Sequence, residues 1–249
     1  MRPTATKNPW LPFGTGADAE LRLLCLPHAG AGASSYRAWG EGMSSQIAVC
    51  PVQPPGRETR RREPPETQVG PLVADLAASL SQEPLTPYAV FGHSTGALSA
   101  FELCRQLRRM HAPPPVHLFV AGRRAPQIPM DQTRLRGLSV PELADVLRRL
   151  GGTPEQVLSD PGLLRMLHPL LIADFAVNET YHYVHEPPLD CPITVFAADE
   201  DPRADLDQAA AWEHQTTAAF TWHTLRGGHF AVFQQAERVH GWIAEALRA

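Results

Sequence analysis

Short apolar runs separated by helical patterns recur along almost the whole chain, and that alternation limits the folds open to it. The runs at 21–26, 47–52, 88–91, 117–121, 193–197 and 220–225 carry few charges. Strands buried on both faces read this way, because neither face has to meet water. Between and after these runs, the spacing of apolar residues predicts helices at 35–43, 69–80, 97–110, 204–217 and 233–247. Such alternation specifies an α/β architecture, with a mostly parallel central sheet flanked by helices. At 249 residues the chain can bury one substantial core, so we read 1–249 as a single domain.

One stretch breaks the alternation. Residues 128–186 contain no strand-like run, only helical pieces at 140–150, 154–158 and 162–177. In the first piece Val140, Leu143, Val146, Leu147 and Leu150 follow helical spacing behind Ser139, an N-cap with Glu142 three residues on. An all-helical insertion between two sheet strands is expected to form a lid over a site on the sheet. The plainer alternative is a helical subdomain with only a structural role.

Composition narrows the function classes. Hydrophobic residues make up 43% and charged residues 19%, as in an ordinary globular domain. A net charge of −4 argues against nucleic acid as a partner. No window approaches the ~18 consecutive apolar residues of a membrane span, and residues 1–18 hold no apolar signal region. We therefore expect no membrane association and a cytoplasmic location. The four cysteines (Cys25, Cys50, Cys104 and Cys191) form no C-x-x-C pair and read as buried reduced thiols.

Chemistry enters with Gly92-His93-Ser94-Thr95-Gly96, a G-x-S-x-G pattern between an apolar run and a helical one. A serine hydroxyl is a weak nucleophile until a tight turn exposes it and a base takes its proton. Strand, sharp turn and helix supply that exposure in a nucleophile elbow, with Ser94 as the nucleophile. A side chain at either glycine would crowd the turn. The base should follow the last strand, where Gly227-Gly228-His229-Phe230 offers His229 on a pliable loop. His182 and His185 lie in the insertion, His214 and His240 in predicted helices, and His223 in a strand. The orienting carboxylate should follow the run 193–197, where spacing leaves both Asp201, stiffened by Pro202, and Asp199 open. An oxyanion needs two N–H donors. Thr95, after the nucleophile, supplies one, and the small-residue loop Pro27-His28-Ala29-Gly30-Ala31-Gly32-Ala33 supplies the other, for which we favour Ala29. That loop lacks the lysine and the glycine spacing of a phosphate-binding loop.

These residues sit within a wider pattern. Leu26-Pro27-His28-Ala29-Gly30, Ser35-Tyr36-Arg37 and Val52-Gln53-Pro54-Pro55-Gly56-Arg57-Glu58 are followed by Phe91-Gly92-His93-Ser94 and Phe101-Glu102-Leu103. Then come Ala121-Gly122-Arg123-Arg124-Ala125-Pro126, Asp174 with Glu179-Thr180-Tyr181, Asp201-Pro202 and Gly227-Gly228-His229-Phe230. In these blocks, in this order, the chain resembles the type II thioesterases, stand-alone editing hydrolases that accompany polyketide synthases and non-ribosomal peptide synthetases. The resemblance implies an α/β-hydrolase fold with a helical lid at 128–186. It places the catalytic acid on the Asp before Pro, which favours Asp201 over Asp199. Thr95 stands where the family more often has Met or Leu, and Ala198 replaces a usual glycine. A backbone donor survives the change at 95, but the acyl pocket there becomes narrower or more polar.

The implied activity is hydrolysis of acyl thioesters on the phosphopantetheine arm of acyl or peptidyl carrier proteins, removing stalled chains in antibiotic biosynthesis. No metal or diffusible cofactor is expected, since the phosphopantetheine belongs to the partner. Carrier proteins are commonly acidic, so Arg57, Arg60, Arg61 and Arg62 on one loop, and Arg123 and Arg124 on another, are candidates for a positive docking surface. Two other readings share parts of the pattern: a serine carboxylesterase of other specificity, and a carrier-binding protein without catalysis.

Overall fold

Every apolar run becomes a strand, and every strand pairs in parallel with its neighbours, in the order β2-β1-β3-β4-β5-β6. The strands are β1 (Leu21–Leu26), β2 (Ile47–Pro51), β3 (Tyr88–His93), β4 (His117–Ala121), β5 (Ile193–Ala198) and β6 (Phe220–Leu225). The computed structural model describes residues 8–83, 87–129, 135 and 137–248. Residues 130–134 and 136 of the expected insertion, and residues 1–7, lie outside the described residues.

Parallel neighbours need crossovers, and these cover both faces. Alternation along each strand sorts its side chains between two layers. Leu24, Leu26 and Val90 join a core with Leu72 and Leu76 of α1 (Val69–Leu80) and Phe101 of α2 (Thr95–Arg109). Leu23, Cys25, Ala89 and Phe91 join a second core with Val232 of α7 (Ala231–Gln234) and Val239 and Ile243 of α8 (Ala236–Ala246). All four cysteines are buried and free, and burial pushes their thiols up, to about 11 for Cys50. Among the described residues, no helix is long and apolar enough to cross a membrane.

Between β4 and β5 lie α3 (Val140–Leu150), α4 (Glu155–Leu158) and α5 (Pro161–Glu179). They enclose a third apolar cluster with Leu143, Leu147, Leu158, Leu164, Leu171 and Phe175. Ser139 and Glu142 close the capping box at the start of α3.

Several boundaries differ from the sequence reading. The stretch expected as a helix at 35–43 is a run of 3-10 turns, Ala33–Gly42. The helix expected at 204–217 is α6 (Leu206–Ala210) followed by a 3-10 segment, and that at 233–247 breaks at Gln235 into α7 and α8. β3 continues through His93 and α2 starts at Thr95, so one residue alone makes the turn between them.

Candidate active site

That single turning residue is Ser94. Its backbone takes φ 57° and ψ −116°, a strained conformation for a residue with a side chain, while its N–H donates to Ala121 O at 2.9 Å. The flanking glycines are required by space. A Cβ at Gly92 would lie 2.2 Å from Gly96 O, and one at Gly96 would lie 2.1 Å from Leu26 O. The strand end and the first helical turn are in direct contact, and this holds the serine at the tip.

β5 and β6 carry the other two groups. The loop after β5 turns at Pro202, and the loop after β6 brings His229 across to it. His229 Nδ1 lies 2.9 Å from Asp201 Oδ2 and 3.0 Å from Oδ1. Asp201 Oδ1 also accepts the Arg203 N–H at 2.8 Å, which fixes the carboxylate. Both side chains are almost fully buried. An ionised carboxylate only accepts, so Nδ1 carries the imidazole proton and Nε2 presents a lone pair. Asp199 does not reach His229. Its Oδ1 accepts the Gly227 N–H at 2.7 Å and so shapes the loop that bears the histidine.

Two further histidines pack round His229. His93, the variable residue of the elbow, packs its ring against His229 at a tilt, 4.8 Å between ring centroids, and its Nε2 lies 2.8 Å from the His229 carbonyl oxygen. A carbonyl can only accept, so His93 Nε2 donates. Burial, with His229 and His28 adding to it, holds the His93 pKa well below the usual range and keeps the ring neutral. Burial similarly lowers His28 to about 4. His93 therefore ties the elbow to the loop bearing His229. Sequence reading passed over it as the x of the motif, although it lies on the same strand face as buried Ala89 and Phe91. Gly122 makes room for this contact, since a Cβ there would lie 2.7 Å from His93 Nε2.

The loop after β1 is held from the insertion. Asp174 of α5 accepts the Gly30 N–H at 2.6 Å and forms a two-pronged pair with Arg57, both prongs 2.7 Å long. Arg57 also donates to Ala31 O and Pro55 O. Gly30 has φ +79°, a conformation that suits glycine. Ala29, next to it, lines a cavity of about 260 Å³ with Ser94, Thr95 and His229. Thr95 is the first residue of α2, where N–H groups lack an intrahelical acceptor. The insertion contributes apolar lining to this cavity from Leu147, Leu150, Val157, Leu167, Leu171 and Phe175.

Arg57, Arg123 and Arg124 are buried, so three of the six arginines considered for docking do not present their charge at the surface. Arg57 is consumed by Asp174, Arg123 donates to Asn178 Oδ1, and Arg124 bonds the Pro129 and Arg203 carbonyls. Arg60 pairs with Glu63 over the Trp10 ring, while Arg61 and Arg62 are exposed. Asn178 also went unnoticed in the sequence, where nothing in helical spacing sets it apart.

Residues 21–247 match the thioesterase domain family. The chain is 39% identical to the gramicidin S biosynthesis protein GrsT of Aneurinibacillus migulanus, over 97% of this chain and 94% of that relative. It superposes on RedJ, a thioesterase from the prodiginine biosynthetic pathway of Streptomyces coelicolor, with a TM-score of 0.88. Identity is 38%, over 97% of this chain and 94% of RedJ. The type II thioesterase BorB from the borrelidin biosynthetic cluster gives a TM-score of 0.84 at 38% identity, over 91% of this chain and 92% of BorB. With its six-stranded parallel sheet and flanking helices in the α/β-hydrolase arrangement, the chain belongs to the thioesterase domain family.

Proposed function

We propose that this protein is a type II thioesterase that hydrolyses acyl groups from the phosphopantetheine arm of acyl or peptidyl carrier proteins, with Ser94, His229 and Asp201 as its triad. The observation that carries the reading is the His229–Asp201 pair at the cavity where the strained turn presents Ser94. Two similar structures, ClbQ and YbtT, are named from NRPS/PKS pathways, and YbtT is named a type II thioesterase.

Ser94 Oγ attacks the thioester carbonyl carbon while its proton passes to His229 Nε2. The Thr95 and Ala29 N–H groups hold the carbonyl oxygen as it becomes an oxyanion. Asp201 keeps the imidazole in the right tautomer and stabilises its charged form. Collapse breaks the C–S bond, and the thiolate takes the proton from His229. A thiol with pKa near ~8.5 leaves more easily than an alcohol or amine. Water then attacks the acyl-serine, giving its proton to His229. The second collapse releases the carboxylic acid and returns the proton to Ser94 Oγ. Each role is filled by a group of the chain itself, so no metal or diffusible cofactor enters.

The test is incubation with acyl-loaded carrier protein followed by intact-protein mass spectrometry. Wild type should yield free holo-carrier and acid, and Ser94→Ala should not. An untouched acyl-carrier with the wild type would overturn the reading. Faster turnover of a simple oxyester than of the acyl-carrier would favour the carboxylesterase alternative.

A further inference from the structure

The hydroxyl of Thr95 is the end of a buried hydrogen-bonded chain. Arg123 Nη1 donates to Asn178 Oδ1 at 2.6 Å, and Asn178 Nδ2 donates to Thr95 Oγ1 at 2.7 Å and to Asp174 O at 3.1 Å. Because a guanidinium has only donors, the Arg123 contact fixes which end of the Asn178 amide is oxygen. The NH2 end must then face Thr95, and Thr95 Oγ1 is an acceptor in that contact. A hydroxyl has one proton to give. Among the described residues Asn178 is the one hydrogen-bond partner of the Thr95 hydroxyl, which leaves the O–H without an acceptor. Thr95 is 7% exposed, Asn178 8% and Arg123 9%, so this donor is sheltered from bulk water. All three residues line the cavity beside Ser94. A cation at the head of such a chain polarises each bond after it and makes the last O–H a better donor.

Resting on the thioesterase reading above, we propose that the Thr95 hydroxyl selects acyl groups carrying an acceptor oxygen close to the thioester, with 3-hydroxyacyl chains as the preferred class. Position limits the choice. Consecutive Cα atoms are about 3.8 Å apart, so a side chain at 95 reaches only the first few atoms of an acyl group attached at Ser94. The contact with Asn178 turns Oγ1 towards α5, the helix of the insertion whose Leu167, Leu171 and Phe175 also line the cavity. The insertion also lines the cavity with the apolar side chains Leu147, Leu150, Val157 and Leu171. The substrate that satisfies both is polar near the reacting carbon and hydrocarbon further out. An unsubstituted alkanoyl chain would leave the buried O–H unpaired, and an unmade hydrogen bond there weighs against it.

The experiment compares kcat/KM for 3-hydroxyoctanoyl and octanoyl thioesters of N-acetylcysteamine in wild type, Thr95→Val and Thr95→Ser. Val matches the shape of Thr without the hydroxyl and retains the backbone N–H, and the ratio of the two substrates cancels any loss common to both. Wild type should favour the hydroxyacyl substrate about five- to tenfold. Thr95→Val should bring the ratio to about one, and Thr95→Ser should restore most of the preference. A wild type that hydrolyses octanoyl as fast or faster, or a ratio unchanged in Thr95→Val, overturns the selectivity. Hydrolysis of neither thioester by the wild type overturns the thioesterase reading itself.

Discussion

Asp174 and Gly30 are joined by a 2.6 Å hydrogen bond between residues 144 apart in sequence, and the same carboxylate grips Arg57. The helical insertion thereby sets the backbone of the loop that supplies Ala29. Asp174→Asn should cost about 3–5 kcal/mol in urea unfolding, because it strands a buried guanidinium. The double variant Arg57→Met/Asp174→Leu should recover much of that stability but little kcat/KM, since Gly30 N–H still lacks its acceptor. Full recovery of activity in the double variant would show that Asp174 does not position the loop.

Asp201 and Asp199 should separate cleanly. Asp201→Asn should lower kcat by about 10³–10⁴-fold, because an amide can hold the wrong imidazole tautomer. Asp199→Asn keeps an oxygen that can accept the Gly227 N–H, so it should leave kcat within about threefold and change stability by less than about 1 kcal/mol. Steady-state kinetics with one thioester and a thermal melt decide between them. A larger kinetic loss at Asp199 would reverse the assignment.

Glycine substitutions should have opposite signs at different sites. Gly92→Ala and Gly96→Ala drive a methyl into backbone at about 2 Å and should yield insoluble or unfolded protein. Gly241, inside α8, has nothing within 4 Å of a built Cβ. Gly241→Ala should therefore raise stability by ~0.5–1 kcal/mol, seen as a higher Tm at unchanged activity.

Stability should fall as the solution is acidified below neutrality. Burial lowers His28 and His117 to about 4 and holds His93 well below its usual range, whereas each titrates near 6.5 once unfolded. Between those values the unfolded chain binds more protons, so unfolding becomes easier as pH drops from about 6.5 towards 4. Each such histidine contributes a slope of up to ~1.4 kcal/mol per pH unit. Urea unfolding at pH 6 and pH 5 should show a smaller loss in His117→Asn than in wild type. Equal losses would mean that His117 is already charged in the fold.

Much of this arrangement can be read from sequence because it is locally encoded. Continuous apolar runs mark the strands, and the Ser94, Asp201 and His229 positions each follow one, where loops must emerge. The choice between Asp199 and Asp201 is different in kind. Both have the right chemistry, and Pro202 alone distinguishes them until β5 and β6 pair and bring the two loops together. The Arg57–Asp174 pair and the Arg123–Asn178–Thr95 chain are less accessible still, since each joins segments that no periodicity relates. Arg57, Arg123 and Arg124, offered as docking candidates, turn out to be internal for that reason. The helix breaks at Gln235 and between α6 and its 3-10 extension reflect tertiary packing that overrides local propensity.

The strand order has a consequence for how the protein is made. Ser94 follows β3, Asp201 follows β5, and His229 follows β6, the edge strand and the last of the six to be synthesised. On the proposed triad, Ser94 and the loop bearing Ala29 are synthesised before His229, so hydrolysis is expected only once β6 has docked along β5. Loss of activity in denaturant should then coincide with release of that edge, which makes turnover itself a gauge of whether the sheet is complete.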